Sequence, residues 1–407
     1  MLRYPYSDLV IMRTYLVLLC LLIISCSSSD RTLYIYNTTW PAGSTVSLIK
    51  DRNTIVRTSM YGDHARLDVD DGGVYTVRVA SQNVLTFFSD ELTIPPGRYS
   101  YHLPEPLMRR KIDNKRFGLI ADNTAYIDHM AELQNSGKIF VSTIGYSVPV
   151  TALEETGSSL MRTCHEVDTE LIYTIFHEPW RDQETDWEFW TDILGKLEAG
   201  GYDGLMISHR IGRDSPGAID RLALRVHQRG LSLHVALDTF DIDVIRKMFD
   251  QPAPERPDEV LIDLRPPQLG THDLIAPFPA EKISEIMETA YKAHVPVSHL
   301  SVVVTGCTIE YREKDDMYVP AGVDENEANE IKLSAGEQSV FRMQDGTIRF
   351  GYAGKIYMGD DAESIQQKMD LLDKGPFKKS GGIYVSSYVK TPPDSQFVAN
   401  LTDTLIE

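Results

Sequence analysis

At 407 residues the chain exceeds what one small core needs and suits a barrel of about 250 residues plus a smaller domain. Its 42% hydrophobic and 24% charged content is ordinary for a folded globular protein, which excludes a fibrous or wholly disordered chain. A formal net charge of −19 repels phosphate backbones and excludes a general nucleic-acid binder.

Arg13 precedes an unbroken apolar run over residues 16–24, the length of a signal-peptide core and too short to span a bilayer. The run ends Ile24-Ser25-Cys26-Ser27-Ser28-Ser29. A small residue before a cysteine, then a serine tract, is similar to a bacterial lipoprotein signal. Residues 1–25 are then the signal, Cys26 the lipidated first residue and 26–31 a tether. Export to a bacterial cell envelope with a lipid anchor is expected, and an ordinary secreted form is the alternative. Beyond Cys26 the mature chain keeps Cys164 and Cys307, which carry no metal-ligand spacing and read as buried thiols. No cofactor is indicated.

Residues 32–104 read as all β. Short alternating or β-branched runs at 32–36, 45–49, 65–69, 74–79 and 84–88 are separated by turns at Pro41-Ala-Gly43, Asp71-Gly-Gly73 and Pro95-Pro-Gly97. A small β-sandwich is expected, serving as a spacer unless an aromatic stripe equips it to hold glycan. Residues 105–115 read as a linker. From 116 to 395 strands alternate with amphipathic helices, and eight apolar strands fall at 117–121, 139–144, 171–176, 204–207, 231–237, 260–264, 300–304 and 382–385. The expected fold is a (β/α)8 TIM barrel behind an N-terminal β-sandwich. Residues 308–356 form a small α+β insertion between strands 7 and 8, and 396–407 a C-terminal tail.

The amphipathic helix from Asp186, the Gly200-Gly-Tyr-Asp-Gly204 turn and the strand ending Ile207-Ser208-His209-Arg210 resemble the approach to the signature strand of family-18 glycoside hydrolases, the chitinase family. Ile275-Ala-Pro-Phe-Pro279 followed by Val295 to Val304 is similar to that family's run into its seventh strand. Tyr357 to Lys368, then Gly381-Gly382-Ile-Tyr-Val-Ser386, resembles its last helix and eighth strand. The resemblance implies a glycan-handling barrel. It also implies a broken motif. Aligned on Asp203-Gly204, the family's D-G-x-D-x-D-x-E puts Met206 and Ser208 at its inner aspartates and Arg210 at its general acid. A guanidinium stays charged and cannot hand a proton to a glycosidic oxygen. The family's sugar-stacking Trp corresponds to Ser386.

Strand C-termini build the active face of such a barrel. They gather Asp122, Tyr146, His177, Glu178, Arg210, Asp238, Asp263, Arg265, Glu310 and Tyr388. Each alone reads as a paired charge, whereas the set reads as a ligand site. Glu178, beside Trp180, is the candidate relocated acid, with Asp238 or Asp263 as partner. Tyr146, His177, Trp180, His209, Arg210, Arg265 and Tyr388 are the candidate ligand contacts, Trp180 as a sugar platform. The arginines favour an anionic glycan unless Glu178 and Asp263 neutralise them. Three functions stay open: a catalytically impaired glycan-binding lipoprotein, an active glycosidase on N-acetylglucosamine-containing glycans with relocated carboxylates, and a structural or interaction lipoprotein.

Overall fold

A computed structural model describes residues 31–37, 39–50, 53–69, 72–81, 84–106, 116–121, 143–146, 150–154, 157, 160–161, 164, 169–175, 187–209, 216–388, 391 and 393–406. The chain divides into two compact units, Met1–Val79 with Phe87–Pro106, and Ala80–Thr86 with Leu107–Glu407.

The N-terminal strands are β1 (Arg31–Tyr36), β2 (Thr45–Lys50), β3 (Asn53–Ser59), β4 (His64–Val69), β5 (Val74–Ser81), β6 (Val84–Phe88), β7 (Leu92–Thr93) and β8 (Gly97–His102). One sheet has the order β4-β1-β8 and the other β3-β2-β5-β6, with β7 paired to β5. Strand β4 shows why they form: in His-Ala-Arg-Leu-Asp-Val every second residue is buried, the signature of a sheet with one face on a core. Leu33 and Ile35 of β1 bury the same face as Leu67 and Val69. Three strands lie beyond those expected. Strand β3 follows β2 after only two residues, Asp51 and Arg52, which carry none of the Gly or Pro signals that mark the other turns.

The barrel strands are β9 (Arg116–Ala121), β10 (Thr143–Tyr146), β11 (Glu170–Ile175), β12 (Gly204–His209), β13 (Ser232–Leu237), β14 (Glu259–Asp263) and β15 (Leu300–Thr305). Between them run α1 (Trp187–Gly200), α2 (Pro216–Gln228), α3 (Ile242–Phe249) and α4 (Ala280–Lys292). After β15 comes an insertion: β16 (Thr308–Lys314), β17 (Met317–Val323), α5 (Glu325–Ala335), β18 (Val340–Arg342), β19 (Ile348–Tyr352) and β20 (Lys355–Gly359). Its sheet order is β17-β16-β20-β19-β18. Helix α6 (Ala362–Leu372), the last barrel strand β21 (Gly382–Ser386) and α7 (Ser395–Ile406) complete the chain. Strand β21 pairs in parallel with both β15 and β9 and closes the eight-stranded parallel barrel.

Two local readings shift. The second barrel strand is described at 143–146, while 139–142 lie outside the described residues. The stretch from Tyr357 is not yet the last helix, because Tyr357 to Gly359 belongs to β20. The helix starts behind Asp361, whose carboxylate caps it by accepting the Ser364 N–H at 2.9 Å.

The barrel strands are apolar on both faces because both are covered. Leu205, Ile207, Val235 and Leu237 pack outward in one core with Trp190, Ile193, Leu197, Ile283 and Met287 of the helices. Each such fully buried side chain contributes about 1.5–3 kcal/mol. The inward set is a separate layer of Ile120, Ile172, Met206, Ala236, Leu261, Val303 and Tyr384. Nearer the strand N-termini the interior turns polar. His234 Nδ1 lies 2.9 Å from Glu259 Oε2 and its Nε2 3.1 Å from Ser232 Oγ. Tyr384 donates to Glu259 Oε2 at 2.6 Å, and the Ser301 hydroxyl donates to Oε1. Gly118 makes room for that tyrosine, since a Cβ there would stand 2.2 Å from the ring. Cys164 and Cys307 are buried and unbridged, and burial pushes the Cys307 thiol up to about 12.

Candidate functional site

The upper barrel interior is built by period-2 continuation of the apolar layer toward the strand C-termini. One step above Ile172, Met206, Val303 and Tyr384 stand Thr174, Ser208, Thr305 and Ser386. This hydroxyl ring is the part of the site that the sequence reading did not assemble, although counting in twos from each apolar strand centre finds it. Thr174 and Thr305 are buried, and their hydroxyls have no hydrogen-bond partner among the described residues.

Asp263 ends β14, one step above Leu261. Its carboxylate takes the guanidinium of Arg265 in a double fork, Nε to Oδ1 at 2.9 Å and Nη2 to Oδ2 at 2.7 Å. The Arg265 backbone N–H adds a third bond to Oδ1 at 3.1 Å. The remaining guanidinium nitrogen, Nη1, donates to Ser386 Oγ at 2.9 Å and to the Ser387 carbonyl at 3.3 Å. Arg265 and Asp263 therefore form one neutral, bidentate unit clamped across the last strand. Tyr388 is 2% exposed, and its hydroxyl is unpartnered among the described residues. Burial pushes its ionisation well above the usual phenol range, against the pull of Arg265, so it stays a neutral donor.

Asp238, just past β13, is exposed and accepts from the Thr239 hydroxyl at 3.0 Å. Glu310 leaves the mouth. It sits in β16 and accepts from Arg312 Nε at 2.5 Å, Lys355 Nζ at 2.8 Å and the Tyr357 hydroxyl at 2.8 Å, all within the insertion. Burial would raise its pKa, but these donors hold it below the usual glutamate range. Tyr146 and His209 lie at the C-terminal ends of β10 and β12. Asp122, His177, Glu178, Trp180, Arg210 and Cys26 lie outside the described residues. Among the described residues no group of three His, Cys, Asp or Glu could hold a metal ion, and no helix is long and apolar enough to cross a membrane.

The sandwich does carry an aromatic stripe. Outward-facing Tyr34 and Tyr36 of β1 stack at 6.4 Å and 23°, and Tyr36 stacks on His102 of β8 at 5.2 Å and 19°. His64 lies 6.1 Å from Tyr36, and the Arg98 guanidinium covers Tyr34 at 6.0 Å. Alternation along β1 hid this feature, because the ladder's other rings come from strands 28 and 66 residues away.

The closed parallel barrel with an α+β insertion after its seventh strand has the fold of solved chitinase structures. The structure of the spore cortex-lytic enzyme SleL from Bacillus megaterium is similar, with 14% identity, 78% of this chain and 77% of that one covered, and a TM-score of 0.52. The Group IV chitinase of Ostrinia furnacalis is similar at 13% identity over 72% of this chain and 99% of that one, TM-score 0.52. So is a class V chitinase mutant from Cycas revoluta in complex with (GlcNAc)3, at 13% identity over 71% and 99%, TM-score 0.51. At such identities the likeness is one of fold. No family profile and no curated protein sequence matches the chain.

Proposed function

We propose that the chain is an exported envelope lipoprotein whose chitinase-like barrel binds N-acetylglucosamine-containing glycan without hydrolysing it. The observation that carries this reading is the closed Asp263–Arg265–Ser386 unit at the barrel mouth. A carboxylate locked in a bidentate ion pair is a poor proton donor or nucleophile, and Arg265 occupies the hydroxyl of the residue that replaces a stacking tryptophan. At the motif's inner positions Met206 belongs to the apolar layer and Ser208 is half-buried, while Arg210 stands in the acid's place. What remains to meet a sugar at the open mouth is the exposed Asp238 and the half-buried Ser208, with the hydroxyls of Thr174, Thr305 and Tyr388 buried beneath them. The (GlcNAc)3 complex of the Cycas revoluta chitinase supports this choice of glycan. The aromatic face of the sandwich offers a second stacking surface.

The test incubates full-length protein with (GlcNAc)3 and with peptidoglycan fragments, following both product release and binding heat. Binding without product is expected. Asp238→Ala weakens binding several-fold if the mouth holds the glycan, and Tyr36→Ala does so if the sandwich holds it. Turnover that Glu178→Gln abolishes would overturn the reading in favour of a hydrolase with relocated carboxylates. The anchor is tested separately. Labelled fatty acid should enter the native chain and not Cys26→Ser.

A further inference from the structure

On the far side of the insertion lies a pocket of about 350 Å3 among α5, β19, the start of α6 and the start of α7. It is not part of the barrel mouth. Ile309, Tyr311 and Met358 on one face of the insertion sheet pack with Tyr388, whereas Ile348 and Phe350 on the other pack with Ala328 of α5. The pocket opens on this second face, with Phe350 and Phe397 in its wall.

Its charges do not balance. Glu325, Asp360, Asp361 and Asp394 line it, against Lys332 alone. Two cations reach in from behind. Arg342 clamps Asp361 with Nη1 to Oδ1 at 3.0 Å and Nη2 to Oδ2 at 2.8 Å. The Lys368 ammonium, itself fully buried, donates to Asp360 Oδ1 at 2.5 Å, as does the Ser364 hydroxyl. Four carboxylates thus face three cations. The shortfall falls on Asp394 and Glu325, which line the pocket together. Asp394 is also fixed from behind, its Oδ1 accepting the N–H groups of Gln396 at 2.8 Å and Phe397 at 3.0 Å. Burial first, and then the neighbouring Glu325, push its pKa up to about 7, so Asp394 is partly protonated near neutrality.

A second observation is independent of this pair. The Asp360 side chain is wholly shielded, yet its Oδ2 has no hydrogen-bond partner among the described residues. A buried acceptor left open is costly, and it calls for a donor that the chain itself does not supply. Among the described residues no group of three acids could hold a metal ion. An organic cation fits instead. The pocket is lined by carboxylates, by the amides of Asn329, Gln396 and Asn400 and by Phe350 and Phe397, a lining that matches an ammonium on a compact hydroxylated ring.

We propose that this pocket binds a single amino-sugar unit whose nitrogen is unacetylated, its ammonium seated between Asp394 and Glu325. The incoming cation takes the place of the Asp394 proton, which leaves to solvent, a ring hydroxyl donates to Asp360 Oδ2, and the ring lies against Phe350 and Phe397. The site is independent of the glycan reading of the barrel mouth.

Titration calorimetry on the full chain tests it, with glucosamine as the probe and N-acetylglucosamine and glucose as controls. Glucosamine is expected to bind at least about tenfold more tightly than either control, since acetylation removes the charge. Near neutrality the binding heat should vary with the ionisation enthalpy of the buffer, reporting proton release. Glu325→Gln should lower glucosamine affinity by about tenfold with the thermal midpoint held, and Asp394→Asn, which preserves the helix cap, should do the same. Equal affinity for glucosamine and N-acetylglucosamine, or unchanged affinity in both variants, overturns the proposal. Neither result touches binding of (GlcNAc)3, which is read at the mouth through Asp238→Ala.

Discussion

Arg265 reaches Asp263 twice through its side chain and once through its own N–H, then crosses to Ser386 and Ser387. The two side chains are 18% and 22% exposed, so the pair is shielded enough for its loss to register. Asp263→Ala takes the bidentate acceptor away from Arg265 and should cost about 2 kcal/mol in urea denaturation. Adding Arg265→Met should restore part of that loss, because the charge that lost its carboxylate goes with it. If the single variant unfolds at the native urea concentration, the unit is not holding the mouth together. The pairing was legible at Asp263 and Arg265, whose two-residue separation places both side chains on one side of the strand end. The clamp to Ser386 was not, since its partner lies 121 residues away and only barrel closure unites them.

At the scale of elements, the apolar strands could be read because a strand covered on both faces has no polar period to confuse it. Turn-poor joins could not, as β3 and the β20–α6 boundary show. Elements are also joined by a titrating pair. His227 in the last turn of α2 bonds Asp258 Oδ2 at 2.8 Å and the Pro254 carbonyl at 2.9 Å, while the Leu233 N–H of β13 donates to the same Asp258 oxygen at 2.8 Å. Burial lowers the imidazole pKa, but the bond and charge of Asp258 outweigh it and the net shift is upward. Burial likewise raises Asp258, and His227 more than reverses it, holding the acid far below the usual range. A raised histidine stabilises fully below about pH 6.5, and its share is lost as pH rises through the folded pKa. A depressed aspartate stabilises above about pH 4, and its share is lost only in strong acid. The stability gap between native protein and His227→Gln should therefore be widest at about pH 5–6 and shrink by about pH 9. A gap that grows with pH would mean that the imidazole packs there uncharged.

Across the whole barrel, the floor is where closure is secured. Glu259 of β14 takes donors from β13, β15 and β21 through His234, Ser301 and Tyr384, so one carboxylate ties four of the eight strands. Ser232, His234 and Glu259 stand in the order of a hydrolase triad, at 3.1 and 2.9 Å. They are 6%, 0% and 2% exposed, which denies a substrate any approach. Burial decides the matter in favour of structure over chemistry. Removing the hub should then be severe, and removing the nucleophile-like group mild. Glu259→Ala takes the carboxylate away from three buried groups at once, a loss of about 3–5 kcal/mol that lowers the barrel's thermal midpoint by about 10 °C. Ser232→Ala removes two long contacts, to His234 Nε2 at 3.1 Å and to the Asp203 carbonyl at 3.3 Å, and should cost about 1 kcal/mol. Scanning calorimetry on the full chain reads both values. A serine-directed phosphonate supplies the complementary check: labelling of Ser232 in the folded protein would refute the sealed floor, and labelling only after unfolding fits it.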